Sequence, residues 1–246
     1  MTIGSATDLT GLQRAGHLVA RTLETMRAAV RPGITTGALD DIGARFARAE
    51  RARSAPQLAY DFPGFTCISV NDEIVHGVPG PRVLTGGDVV KLDVTLELDG
   101  YIADSAVTVI VTPAAAQARD LQRCARQAFN AALRTARAGT RLTELGGAVE
   151  REVKRHGFAV VRELAGHGVG RRIHEDPAVP NWSDPDTHGV LTPGLVIALE
   201  PMVTPRPTRP VDGRDGWTLR TRDGAIAVHH EHTIVIRNGA PLVVTM

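Results

Sequence analysis

The stretch GDVVKLDVTLELDGYIADSAVTVIV, residues 87–111, decides the fold of this chain. It contains two runs of β-branched and apolar residues on either side of Asp99-Gly100. Both positions of that dipeptide tolerate positive φ, which makes it a strong signal for a two-residue hairpin turn. The sequence therefore predicts an antiparallel hairpin in which Leu98 lies opposite Tyr101.

Two aspartates fall on one face of this predicted hairpin, together with Val89, Lys91 and Thr95. Counting outward from the turn puts Asp93 opposite Ala106, so that Asp104 is a diagonal neighbour of Asp93 within side-chain reach. Two carboxylates that point into one small space repel each other, and burying either one without a partner costs desolvation free energy. One surface aspartate and one turn-supporting aspartate form the plainer alternative. For two aspartates on one face of an apolar hairpin, we favour a shared cation.

Composition excludes several classes of protein. The chain has 246 residues and a formal net charge of +1, so no overall field attracts nucleic acid or an anionic membrane. Cys67 and Cys124 are the only cysteines, which points to a reducing compartment without a disulfide framework. No signal-peptide pattern and no apolar run of membrane-spanning length is present. We therefore expect a soluble, cytoplasmic protein with one large domain or two small ones.

Hydrophobic periodicity predicts two helices before the hairpin and two after it. The expected helices cover residues 10–31, from Thr35 or Thr36 to near 54–56, 114–138, and from a Thr143 cap to His156-Gly157. Residues 57–85 are expected to form loops and short strands. The later part is expected to contain a strand over 158–164, a glycine-rich loop at 166–170, and a second hairpin from about Leu195 to Ile236.

The two parts of the chain repeat each other at a nearly constant interval. It is 106 positions from Gly33 to Gly139, and 107 both from Gly87 to Gly194 and from Asp93 to Glu200. GDVVKLD at 87–93 matches GLVIALE at 194–200, and each segment has a carboxylate six residues after glycine. We therefore predict one α/β (α+β) domain, residues 1–246, with pseudo-symmetric halves at about 10–112 and 113–240 and one site between them.

Four carboxylates converge in this arrangement, namely Asp93, Asp104, Glu200 and Glu231. The nearby glycine-rich segment 166–170 carries His167, whose small neighbours leave the imidazole approachable. A lone histidine in a loop is usually a surface residue, but four carboxylates require a cation. One imidazole with four carboxylates suits Mn, Fe or Co at least as well as Zn, and such a set can hold two metals.

Five ordered motifs extend this interpretation: KLDV at 91–94, ADSA at 103–106, GHGVG at 166–170, ALEPM at 198–202 and EHTI at 231–234. Over nearly the whole chain they resemble the methionine aminopeptidases. The resemblance implies the pita-bread fold, a duplicated α/β unit around two divalent metal ions, which are Co, Mn, Fe or Zn. It implies that Asp93 binds one metal, that His167 and Glu200 bind the other, and that Asp104 and Glu231 bridge them.

The same resemblance assigns further site residues. His76, in IVHGVP at 74–79, resembles the histidine that contacts the substrate near the scissile amide. His174, in RIHEDP at 172–177, resembles the histidine that stabilises the tetrahedral intermediate, and Glu200 corresponds to the general base. The methionine-binding pocket maps to Tyr60, Phe62, Cys67, Ile173 and Trp217. The alternative for Tyr60 and Trp217 is that they are ordinary core aromatics rather than pocket residues. We expect structural or solvent-exposed roles for the remaining histidines His17, His156, His188, His229 and His232.

The resemblance implies a type I, bacterial-type enzyme, because the interval from Glu200 to Glu231 has no room for the helical insert of type II relatives. Such an enzyme removes the N-terminal methionine of nascent polypeptides and peptides when the second residue is small. Association with ribosomes and a monomeric state are further expectations. One alternative is a prolidase or aminopeptidase P. Those enzymes carry a substantial domain before the catalytic one, whereas about 85 residues precede Gly87 in this chain. The other is a non-enzymatic binding module, which would be expected to have lost metal ligands.

Overall fold

A computed structural model describes residues 1–246, in five α-helices and fifteen β-strands. The helices are α1 (Ala6–Ala29), α2 (Thr36–Ala49), α3 (Ala55–Tyr60), α4 (Ala116–Thr135) and α5 (Leu142–Arg155). The strands are β1 (Arg53–Ser54), β2 (Cys67–Val70), β3 (Glu73–Val75), β4 (Val89–Leu98), β5 (Tyr101–Ile110), β6 (Ala159–Val160), β7 (Ala165–Gly168), β8 (Glu175–Pro180), β9 (Val196–Leu199), β10 (Met202–Thr204), β11 (Pro210–Asp212), β12 (Leu219–Thr221), β13 (Val228–His229), β14 (His232–Val235) and β15 (Leu242–Val243). None of the helices is both long enough and apolar enough to cross a bilayer.

The hairpin of β4 and β5 forms in the predicted register. The strands pair antiparallel along their full lengths, with Leu98 opposite Tyr101 and Asp93 opposite Ala106. Asp99 and Gly100 have φ of 51° and 81°, the left-handed conformation that a tight hairpin turn requires. Strands β1 and β2 pair with the other edge of β4, which therefore lies inside a four-stranded sheet.

The second predicted hairpin is also present, although it is more elaborate. Strands β9 and β14 pair antiparallel, with Leu199 opposite His232, inside the sheet β15-β14-β9-β7-β8. The connection between them carries β10 to β13, which form two small sheets with β6 and β3. Each half thus contains two long helices followed by a hairpin, as predicted.

Helix ends in the first half differ from the prediction. Helix α1 begins at Ala6 rather than near residue 10, because Ser5 Oγ accepts the Asp8 N–H at 3.1 Å and caps the helix. Thr35 caps α2 as expected, but α2 ends at Ala49 instead of near 54–56. The chain turns at Arg51, whose φ is 64°, and then enters β1, which pairs with β4. The short helix α3 that follows lies where loops were predicted.

Three boundaries in the second half were also predicted wrongly. Thr143 lies inside α5 and does not cap it, because the N–H of Leu142 donates to the Gly189 carbonyl at 3.1 Å. The strand expected over 158–164 is limited to Ala159–Val160, the two residues that pair with β10. The segment expected to be a glycine-rich loop at 166–170 contains strand β7.

Two buried apolar clusters lie against the hairpins. Helix α1 covers β4 and β5, and α2 packs against α1, β1 and β2. Together they form the larger cluster of 31 buried residues, to which Val196 and Val235 of the second half also belong. Helices α4 and α5 form a cluster of 22 with the second hairpin, and Val89 of the first half joins it. Apolar packing therefore crosses between the halves, which holds the two hairpins close together.

Candidate metal centre

The strand registers place the four carboxylates of the sequence prediction in one cavity. Asp93 and Asp104 come from the facing strands β4 and β5, while Glu200 directly follows β9 and Glu231 directly precedes β14. The backbones of Glu231 and Ala106 exchange two hydrogen bonds, of 2.9 and 3.3 Å. These bonds join the second hairpin to the first beside the carboxylates.

Asp93 is partly exposed, and the other three carboxylates are buried without a lysine or arginine to neutralise them. Asp104, Glu200 and Glu231 are 5%, 7% and 2% exposed, and no lysine or arginine lies within 4.0 Å of their oxygens. Burial, then the charge of Asp104, raises the pKa of Asp93, and burial raises the pKa of Asp104 to about 7. Burial and the charges of the two aspartates also raise the pKa of Glu200 well above its ordinary value. Such a group of negative charges is stable in its ionised form only with a cation.

His167 points its free ring nitrogen at this group. Its Nδ1 lies 2.9 Å from the carbonyl oxygen of Gly168, which can only accept, so the proton is on Nδ1. The lone pair of Nε2 then faces Glu200 Oε1 at 3.5 Å and Asp104 Oδ2 at 3.9 Å. Burial, with the charge of His174 second, lowers the pKa of His167 to about 4, so the imidazole is neutral near pH 7. A neutral imidazole whose other nitrogen donates to a carbonyl is the usual form of a metal-binding histidine.

The glycines around His167 have a different role from the predicted one. A Cβ on Gly166 would lie 2.3 Å from the Ala198 carbonyl oxygen, and a Cβ on Gly168 would lie 2.2 Å from that of Asp176. Neither glycine has positive φ. The glycines therefore allow β7 to fit tightly between β8 and β9, and this packing sets the position of the His167 ring.

The donor set fits divalent metal ions. Ligand atoms of Asp104, His167 and Glu231 all lie within 4.8 Å of one another, and the same holds for a second group that includes Glu200 and Glu231. Buried carboxylates whose charges nothing else compensates, together with one neutral imidazole, are hard ligands that suit Mn, Fe, Co or Zn. Since two overlapping groups share Glu231, the geometry has room for two ions with a carboxylate between them.

The other predicted site residues line the same cavity, which has a volume of about 160 Å³. Phe62, Cys67 and Ile173 are buried in its wall, and Trp217 packs edge-on against Phe62 with ring centroids 5.2 Å apart. The walls also include the apolar side chains of Val75, Leu164 and Met202. The cavity is therefore polar where the carboxylates converge and apolar and aromatic along its wall.

His174 and Tyr60 meet at the mouth of the cavity. Tyr60 Oη lies 2.6 Å from His174 Nδ1, and the His174 ring lies edge-on to that of His167 with centroids 4.2 Å apart. Burial raises the pKa of Tyr60, so its hydroxyl keeps its proton and can donate to Nδ1. In that tautomer the His174 proton is on Nε2, which makes this nitrogen a hydrogen-bond donor. His76 stands in the same cavity lining with φ of 58°, an uncommon backbone conformation for a residue other than glycine.

Sequence reasoning missed three residues around the carboxylates. Thr95 Oγ1 donates to Asp104 Oδ1 at 2.8 Å, and Asn181 Nδ2 donates to the Glu200 carbonyl at 3.0 Å. His229 was expected to be structural or exposed, but its Nε2 lies 3.2 Å from Glu200 Oε2. Thr95 could have been found, because it shares the strand face with Asp93 in the predicted register. No sequence signal pointed to the other two, which reach the site through long-range packing.

Comparison with known proteins agrees with this geometry. A sequence model described as metallopeptidase family M24 matches residues 10–238. The chain is 38% identical to methionine aminopeptidase 2 of Bacillus subtilis, over 100% of this chain and 99% of the relative. The crystal structure of methionine aminopeptidase from Thermotoga maritima superposes with a TM-score of 0.95 at 35% identity, covering 100% of this chain and 99% of that one.

A more distant likeness concerns the fold alone. Prolidase from Pyrococcus furiosus superposes with a TM-score of 0.81 at 19% identity, and the match covers 100% of this chain but 65% of the prolidase. The expected fold class, with duplicated helix-helix-hairpin halves around a central metal site, is confirmed by these superpositions.

Proposed function

This chain belongs to metallopeptidase family M24, and we propose that it is a methionine aminopeptidase, which removes the N-terminal methionine of polypeptides whose second residue is small. One observation carries this proposal: all twelve residues that the sequence predicted for metal binding, catalysis and substrate binding line a single cavity. The full-length similarity to methionine aminopeptidases from Bacillus subtilis and Thermotoga maritima supports the same activity.

In this proposal five side chains hold two divalent metal ions. Asp93 would hold one ion, His167 and Glu200 would hold the other, and Asp104 and Glu231 would contribute to both. Bound metal ions of this kind acidify a water molecule, polarise the peptide carbonyl and attract the free α-amino group of a substrate. Whether the ions are Co, Mn, Fe or Zn depends on supply in the cell as well as on this donor set.

Glu200, His174 and Tyr60 move or hold protons, and His76 contacts the substrate. Glu200 would accept a proton from the attacking water and pass it to the leaving amine, because its carboxylate lies among the proposed metal ligands, next to the place where the water is activated. His174 donates from Nε2 to the negative charge that develops on the carbonyl oxygen, and Tyr60 holds it in the required tautomer. His76 lies in the same cavity lining and contacts the substrate near the scissile amide.

The apolar wall accounts for the choice of methionine. Phe62 and Trp217 provide an aromatic surface, while Cys67 and Ile173 close the slot with small or aliphatic groups. A flexible thioether makes favourable contacts with aromatic ring edges and with polarizable neighbours. Because the cavity is narrow, a bulky second residue would clash at its mouth, so alanine, glycine, serine and threonine should be accepted there.

The setting of the enzyme follows from its substrate. We propose a cytoplasmic monomer that acts on nascent chains and therefore works at or near ribosomes. Its residues 1–246 form one catalytic domain with halves at about 10–112 and 113–240. Apolar packing that crosses between the halves, as Val89 and Val196 do, supports a single domain.

A peptide assay with metal analysis tests the proposal. The metal-free protein, reloaded with Co²⁺ or Mn²⁺, is expected to release methionine from Met-Ala-Ser and to leave a Gly-Pro dipeptide, a prolidase substrate, intact. His156→Ala, directly after the end of α5 and outside the cavity lining, serves as a control variant that should match the wild type. Release of proline instead of methionine would assign the chain to the prolidase class. Failure to bind metal or cleave either substrate would favour a binding module.

A further inference from the structure

His229 is the one buried histidine beside the carboxylates that the proposed mechanism does not use. Its side chain is 2% exposed, and strand β13 positions it by pairing with β10, where it lies opposite Met202. Its backbone is held on the other side as well, because its N–H donates to Thr108 Oγ1 at 2.9 Å and its carbonyl accepts from that hydroxyl at 2.7 Å. The ring therefore has a fixed direction, towards Glu200 and Glu231.

Neither ring nitrogen of His229 has a hydrogen-bond partner. A core histidine with a purely structural role normally donates or accepts at least one hydrogen bond, since an unpaired buried polar atom carries a desolvation penalty. The nitrogen Nε2 lies 3.2 Å from Glu200 Oε2 and 3.7 Å from Glu231 Oε2, yet the approach is not aligned for a hydrogen bond. The contact thus needs another explanation.

The spacing is that of two atoms bound to one metal. Ligand atoms that each lie about 2.1 Å from a metal are about 3.0–3.4 Å from each other in octahedral or tetrahedral geometry. The separation of His229 Nε2 from Glu200 Oε2 falls in this range, and that from Glu231 Oε2 exceeds it by a few tenths of an ångström. The Nε2 atom and one oxygen from each glutamate all lie within 4.8 Å of one another.

We propose that His229 is a sixth protein ligand of the metal centre, which binds through Nε2 the ion held by Glu200 and Glu231. The inference rests on the metal centre of the proposed function and adds a second imidazole to it. With His167 and His229 both present, the ligand set contains more nitrogen than four carboxylates and one histidine would provide. Imidazole favours Zn, Fe and Co, whereas carboxylates suit Mn, so His229 should shift selectivity away from Mn.

The chain provides a matched control next to this residue. His230 adjoins His229, but its ring packs edge-on against Phe129 with centroids 5.3 Å apart, and it belongs to neither group of side chains that could hold a metal ion. His230→Gln therefore removes an imidazole one position away without removing a ligand. His229→Gln has a similar shape and loses only the proposed metal–nitrogen bond.

Proton NMR of the Co²⁺-loaded protein counts the bound imidazoles directly. A histidine that binds Co²⁺ through Nε2 keeps an exchangeable Nδ1 proton, which shows a strongly shifted resonance that disappears in D₂O. We expect two such resonances in the wild type and in His230→Gln, and one in His229→Gln. A single resonance in the wild-type spectrum would overturn the proposal, whether or not any variant folds.

Calorimetric titration of the metal-free protein gives a second readout. His229→Gln should weaken Co²⁺ binding by roughly 100-fold or more, because loss of a residue that only supports a ligand typically costs about 10–100-fold. Mn²⁺ binding should weaken by less. Equal losses for the two ions, with both NMR resonances retained, would mean that His229 only positions Glu200, and the proposal would fail. If wild-type protein bound no Co²⁺ at all, the proposed metal centre itself would be wrong. Failure of the His229 proposal alone gives a different result, in which Co²⁺ binds with His167 as its only imidazole ligand.

Discussion

Gly166→Ala tests whether the tight packing of β7 against β9 sets the geometry of the metal centre. The new Cβ would lie 2.3 Å from the Ala198 carbonyl oxygen and 3.4 Å from Glu200 Cγ. Real contacts of this kind are no shorter than 3.0 Å, so the two strands must separate by about 0.7 Å or more. Because His167 is on β7 and Glu200 follows β9, this separation moves two proposed ligands of one metal apart.

The expected magnitudes follow from that displacement. Overpacking of this kind costs typically about 1–3 kcal/mol, and each kcal/mol lowers the melting temperature of a chain of this size by about 2–4 °C. Misplacement of catalytic groups by about 1 Å reduces the rate by roughly 10²-fold. Gly166→Ala should therefore lose about two orders of magnitude in kcat/KM on Met-Ala-Ser, as well as some stability.

The assay combines steady-state kinetics, calorimetric Co²⁺ titration and a thermal melt, all in one buffer. Gly239→Ala is the control, because a Cβ at Gly239 meets no atom within 4 Å and should leave all three measurements unchanged. A Gly166→Ala variant with wild-type kcat/KM, metal affinity and melting temperature would refute the reasoning. Loss of stability alone, with normal activity, would show that the strands separate without moving the ligands.

Three further predictions concern the site. His174→Ala should keep its metal and a near-normal KM but lose roughly 10²–10³-fold in kcat. His167→Ala should instead lose metal together with activity. Rescue of His174→Ala by added metal would contradict the role of His174 as a hydrogen-bond donor. Asp104→Asn should lose metal and activity; however, burial raises the pKa of Asp104 to about 7, so its ionised form opposes folding of the metal-free protein. This destabilisation is absent below about pH 4 and complete above about pH 7. In the presence of a chelator, Asp104→Asn should therefore unfold at a higher urea concentration than wild type at pH 8, and at the same urea concentration at pH 4. A lower urea midpoint for the variant at pH 8 would contradict this prediction. Met-Ala peptides should be cleaved far faster than Met-Lys peptides, and equal rates would argue against a narrow cavity mouth.

Much of the fold was accessible from local patterns. The hairpin register depends on the Asp99-Gly100 turn and on the strict alternation of strand side chains, so the partner of Asp93 could be counted without a structure. Helix ends were less accessible, because tertiary partners replace local caps. At the start of α5 the N–H of Leu142 finds the Gly189 carbonyl, a contact that no pattern near Thr143 predicts.

The two hairpins, the repeat that relates them and the four carboxylates they carry could be predicted without a structure, because they depend on turn chemistry and on periods of two and 3.6 residues. The atoms that meet in the cavity could not be predicted in this way. The short strand β7 exists because β8 and β9 lie on either side of it, and His229 faces Glu200 because β13 pairs with β10. Neighbours that are distant along the chain create such contacts, and the physical reason is that packing and pairing energies, rather than local preferences, select them.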